Sequence, residues 1–135
     1  MKYILPLAIL FVIASCKKKE NESVHEPVAG LQQITSKTQI DNEVSAGVSM
    51  IFYHASWCEA CHAQRPAVSE VAQDNDLSTV FFGEVEYDDY PEINEAYNVG
   101  AFPTIAIYQD GTEVERLTGA GNTAAAIKQL IQNHL

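Results

Sequence analysis

Val48 to Tyr53 is a compact, largely apolar run containing β-branched and aromatic side chains, the pattern of a strand buried on both faces. Such a strand needs a layer of structure on each side, so it commits the chain to a sheet covered by helices. The run leads directly into Trp57, Cys58, Glu59, Ala60 and Cys61, and residues from Cys61 to about Asn75 then read as a helix with Ala63, Ala67, Val68, Val71 and Ala72 on one side. Two cysteines therefore stand at the junction between a buried strand and a helix.

The flanking segments alternate in the same way. A short strand near Gly30 to Ile34 precedes a helix from Ser36 to about Ser45, capped by Thr35 or Ser36 and stopped by Gly47. After the cysteine-bearing helix come a strand over Thr79 to Val85 and a short helix over Pro91 to Tyr97. Thr104 to Tyr108 and Glu113 to Leu117 form strands around Asp110 and Gly111, a hairpin signal. Thr123 to His134 closes the chain as a helix presenting Ile127, Leu130 and Ile131, with Asn122 as its cap. The prediction is an α/β domain over residues 30–135, with a mixed central sheet flanked by helices and finished by an antiparallel hairpin.

The amino end follows different rules. Lys2 is followed by a nearly uninterrupted apolar run from Tyr3 to Ala14, which reads as a secretory signal peptide. It is shorter than the roughly 20 apolar residues a spanning helix needs, and it contains Pro6 and ends at Lys17, Lys18 and Lys19. Ile13, Ala14, Ser15 and Cys16 resemble a bacterial lipobox. That resemblance implies removal of residues 1–15 and acylation of Cys16, leaving 16–29 as a flexible tether in which His25 is solvated. Each buried methylene of an acyl chain contributes about 0.8 kcal/mol, so more than one chain is needed for firm anchoring. The resulting expectation is an exported protein held at a bacterial membrane by lipid on Cys16, with its domain in the periplasm or cell envelope. The formal charge of −10, from 18 acidic and 8 basic residues, argues against nucleic-acid binding, because phosphate repels an acidic surface.

At the start of a helix, Cys58 faces free backbone N–H groups and the positive end of the dipole, where a thiolate is stabilised. The spacing to Cys61 suits a reversible disulfide, but equally a structural metal half-site or a buried thiol pair. A closed zinc site wants four ligands, and the chain has no second cysteine pair, while Cys16 is expected to be consumed at the membrane. Export favours disulfide chemistry. No metal or other cofactor is expected.

Trp57 to Cys61, Pro66 five residues on, Phe102 with Pro103 and Thr104, the Asp110 and Gly111 hairpin and Gly119 together resemble the thioredoxin family in order and spacing, over about residues 30–135. The resemblance implies a thioredoxin-like fold and a thiol–disulfide oxidoreductase, with Cys58 as nucleophile and Cys61 as resolving thiol. It also implies a cis bond before Pro103, substrate contacts from Trp57, Phe102 and Pro103, and a helix kink at Pro66. The expected partners are protein or peptide thiols and disulfides, with a membrane-bound thiol donor upstream. The protein is expected to be a monomeric reductase of exported proteins, with thiol oxidation as the alternative direction.

Departures from the family pattern matter equally. Glu59 and Ala60 replace the usual Gly-Pro, and a carboxylate beside the thiolate opposes its ionisation. The family's buried aspartate falls at Phe52 and its accompanying lysine at Glu84. Glu84 is therefore the candidate proton acceptor for Cys61, against the alternative of a solvated acid at a strand end. His62 is either an aid to a nearby thiolate or simply exposed. His54, where the family carries an aromatic, is assigned no role. Two other readings stay open: haem attachment through Cys58, Cys61 and His62, and a non-enzymatic module binding peptide or metal.

Overall fold

The computed structural model describes residues 26–135. The leader, Cys16 and the tether up to residue 25 lie outside the described residues. Five strands form one sheet in the order β1-β3-β2-β4-β5. They are β1 (Gln32–Gln33), β2 (Val48–His54), β3 (Phe81–Glu86), β4 (Thr104–Gln109) and β5 (Thr112–Thr118). β3 runs parallel to β1 and β2, whereas β4 is antiparallel to both β2 and β5.

Every residue of β2 is buried, because the strand is central and covered on both sides. The period of two divides its side chains between separate cores. Met50 and Phe52 join Val68, Val71, Ile105, Ile107, Ile127 and Ile131 beneath α2 (Glu59–Ala72) and α4 (Ala124–Gln132). Ile51 and Tyr53 join Ile34, Ile40, Val85 and Ile93 beneath α1 (Lys37–Val44) and α3 (Pro91–Ala96). The predicted mixed sheet between helices is the observed one.

Local chemistry explains the boundaries. Ser36 caps α1 by accepting the Gln39 N–H through its hydroxyl at 3.1 Å. Asp110 and Gly111 both take positive φ, 48° and 84°, as a tight turn between twisted antiparallel strands requires. Pro66 lies inside α2. The cap of α4 is Thr123, not Asn122: the Thr123 hydroxyl accepts from Ala126 N–H at 3.2 Å. Asn122 is occupied elsewhere, its carbonyl accepting from Gln64 Nε2 at 2.7 Å and its N–H donating to Gln64 Oε1 at 3.0 Å. A short 3₁₀ turn at Asn75–Leu77 buries Leu77 and delays β3 to Phe81.

Ordered packing also begins earlier than residue 30. Val28 is buried in the core shared with the cysteines, Arg65 Nη2 donates to Glu26 O at 2.8 Å and Ser69 Oγ donates to Ala29 O at 2.9 Å. Residues 26–29, read as tether on composition, thus lie along α2.

Candidate active site

Cys58 is the N-cap of α2, with φ −89° and ψ 105°, and its own N–H donates to Ala55 O at 3.1 Å. The helix begins at Glu59, ahead of the expected Cys61, because the sulfur of Cys58 serves as the capping acceptor: Cys61 N–H points at Cys58 Sγ from 3.1 Å. Cys58 and Cys61 are joined as a disulfide, their Cα atoms 5.2 Å apart. Cys58 is 6% exposed and Cys61 1%, so the first sulfur is the one an incoming group reaches. When the bond is reduced, the same N–H and the helix terminus favour a thiolate on Cys58.

Around this pair stands an aromatic rim. Trp57 is 64% exposed, with its indole N–H donating to Asp88 Oδ1 at 3.1 Å. Its ring meets Phe102 edge-on, centroids 6.1 Å apart, and Phe102 in turn packs against Tyr87 at 5.0 Å. The peptide bond between Phe102 and Pro103 is cis, Pro103 is buried, and its carbonyl accepts from Gly119 N–H at 2.8 Å. Trp57, Cys58, Cys61 and Phe102 are therefore brought together, and Pro103 joins them through the chain. His62 sits on the exposed side of the first helical turn, Nε2 lying 2.9 Å from the Ser56 carbonyl. Glu59 is exposed.

Glu84 is only 1% exposed, which removes the solvated alternative. The register places it beside Phe52, on the sheet face that carries the cysteines. Val28 N–H donates to its two oxygens at 3.2 and 3.3 Å, and His54 Nε2 lies 3.0 Å from Oε2. His54 is itself fully buried, and its Nδ1 lies 3.9 Å from Oε2 of a second buried carboxylate, Glu86. Sequence reading missed His54 and Glu86. Their period-two spacing from Phe52 and Glu84 was the available signal, since it points all four side chains to the same side of adjacent strands.

The family profile described as Thioredoxin matches residues 31–133. The thioredoxin of Chlamydia trachomatis serovar D is 31% identical over 102 residues, covering 76% of this chain and 97% of its own. That of Chlamydia caviae is 29% identical over 102 residues, again covering 76% and 97%. Among solved structures, thioredoxin from Malassezia sympodialis shares the fold with a TM-score of 0.69 at 24% identity, covering 82% of this chain and 97% of its own. Oxidised thioredoxin from Plasmodium falciparum reaches a TM-score of 0.65 at 28% identity, covering 76% of this chain and 96% of its own. With its fold, its cis proline and its strand-to-helix cysteine pair all in register, the chain belongs to the thioredoxin family and is a thiol–disulfide oxidoreductase acting through Cys58 and Cys61.

Proposed function

We propose that this oxidoreductase works outside the cytoplasm, anchored to a bacterial membrane through lipid on Cys16, and reduces disulfides of exported proteins. The observation that carries the reading is the sequence Ile13, Ala14, Ser15, Cys16 behind an apolar leader, which marks Cys16 for acylation and the domain for export. The direction is supported by economy of the fold: among the described residues no long helical segment is inserted between the elements of the sheet.

In the reducing direction the Cys58 thiolate attacks a substrate disulfide, one substrate thiolate departs, and a mixed disulfide forms on Cys58. Cys61 then gives its proton to Glu84 and attacks Cys58 Sγ. The second substrate thiolate leaves, and the enzyme retains the new disulfide. Two electrons have passed to the substrate, and a membrane-bound thiol donor restores them. Trp57, Phe102 and the backbone at Pro103 hold the extended substrate segment beside Cys58.

The deciding measurement is the equilibrium potential of the Cys58/Cys61 couple in defined thiol buffers. A value near about −270 mV supports a reductase, and one near about −120 mV makes the protein an oxidant. Absence of a reversible two-electron couple would leave a binding module. Anchoring is tested separately by intact-mass analysis of the membrane fraction, where Cys16→Ser must abolish the acylated species.

A further inference from the structure

We infer that His54 is the positioning residue of the redox couple, holding Glu84 as an available carboxylate beneath the cysteines. The inference rests on the reading of Glu84 as the proton acceptor for Cys61.

A carboxylate removed from water must be compensated, because desolvation favours its protonated form. An acceptor that already holds a proton is useless to Cys61. Glu84 receives the Val28 N–H on both oxygens, yet one backbone dipole is weak compensation for a buried charge. An ionisable partner, His54, lies 3.0 Å from Oε2.

The imidazole is itself placed to carry charge. Its Nε2 lies 3.0 Å from Glu84 Oε2 and its Nδ1 lies 3.9 Å from Glu86 Oε2, and two carboxylates flanking an imidazole favour its charged form. Stacking on Phe52, with centroids 4.7 Å apart and planes 15° apart, fixes the ring in that orientation. Glu86 is anchored through its other oxygen, which accepts from Ser56 N–H at 3.1 Å and Asp88 N–H at 3.4 Å. β2 and β3 thus present one cation between two anions.

Other groups lie close to the pair. From α2 come Cys58 and Cys61, in the same buried cluster as Phe52 and Val28. From the turn after β3 come Asp88, which also holds the Trp57 indole, and Asp89. Asp89 and Tyr90 line a cavity of about 40 Å³ with Gln33, Ile34, Glu84 and Glu86, room enough for water.

The sign of the effect follows. With His54 charged, Glu84 is a weaker base than a lone buried carboxylate but an unoccupied one. Without it, burial and repulsion from Glu86 both shift Glu84 toward its protonated form, and resolution by Cys61 moves to higher pH.

The test is single-turnover resolution of a mixed disulfide on Cys58, followed against pH in the full chain for the wild type and for His54→Gln, Glu84→Gln and Glu86→Gln. Glu84→Gln should slow resolution about tenfold or more. His54→Gln should raise the pH midpoint by about one unit or more, and Glu86→Gln should lower it, a reversal that damage to packing does not produce. Infrared spectra at neutral pH should show a carboxylic-acid band in His54→Gln that disappears in the His54→Gln, Glu84→Gln double variant. Slow Glu84→Gln with unmoved midpoints in the other two variants overturns the role of His54 alone. Wild-type rates in Glu84→Gln overturn the acceptor reading and the inference with it.

Discussion

The amide nitrogen of Cys61 lies 3.1 Å from the sulfur of Cys58, so the resolving residue solvates the nucleophile through its backbone before attacking through its side chain. Replacing the side chain alone separates these duties. Cys61→Ser should keep the N–H, retain nucleophilic attack and accumulate mixed disulfides, visible as adducts on non-reducing gels. Cys58→Ser should give no adducts and no thiol–disulfide exchange activity.

Trp57 is the exposed member of the aromatic rim, and its orientation is set by Asp88. Trp57→Ala should lower kcat/KM for protein disulfides about tenfold, the effect of losing an aromatic anchor worth one to two kcal/mol. Activity toward a small disulfide reagent, which needs no docking surface, should change little. The comparison of the two substrates checks the assignment.

Gln64 is buried at 1% exposure and satisfies both backbone groups of Asn122, tying α2 to the turn before α4. Gln64→Leu fills the same space but abandons a carbonyl and an N–H, and should cost about 1–3 kcal/mol. Urea unfolding should show a lower midpoint with an unchanged slope.

Tyr53 and Tyr108 share a buried hydroxyl contact of 2.9 Å. Burial raises both phenols, Tyr108 to about 12 and Tyr53 further. Because the folded state holds these protons more tightly than the unfolded chain, whose tyrosines titrate near about 10, stability should be full below that pH. It should then fall as pH rises through the Tyr108 value of about 12. Tyr108→Phe should flatten part of this alkaline loss, measured as unfolding midpoints at successive pH values.

Legibility of the sequence followed locality. The Val48 to Tyr53 run, the Asp110 and Gly111 turn and the cysteine pair each carry their signal in a few consecutive residues, and the structure places all of them as expected. Asn122 was misread because a cap is a local signal that a distant competitor can override, and Gln64 is that competitor. Val28 was hidden in a polar stretch: its burial depends on α2, more than thirty residues later in the chain. The period-two spacing of His54 from Phe52 gives its face but not its partners. Its partners are supplied by the register between β2 and β3, which pairs Phe52 with Glu84 and His54 with Glu86.

The grip of Arg65 on Glu26 and of Ser69 on Ala29 also decides where load enters the domain. A pull on the chain ahead of Glu26 reaches α2 first, loading those hydrogen bonds before it strains the two-residue edge strand at Gln32–Gln33. The helix that bears the load is the one whose first turn carries the disulfide. Between Arg65 and Ser69 the same stretch lends its Val28 N–H to Glu84. Tension sufficient to peel Glu26 to Ala29 from the helix therefore withdraws a donor from the buried carboxylate, so that the mechanics of this segment and the chemistry are coupled.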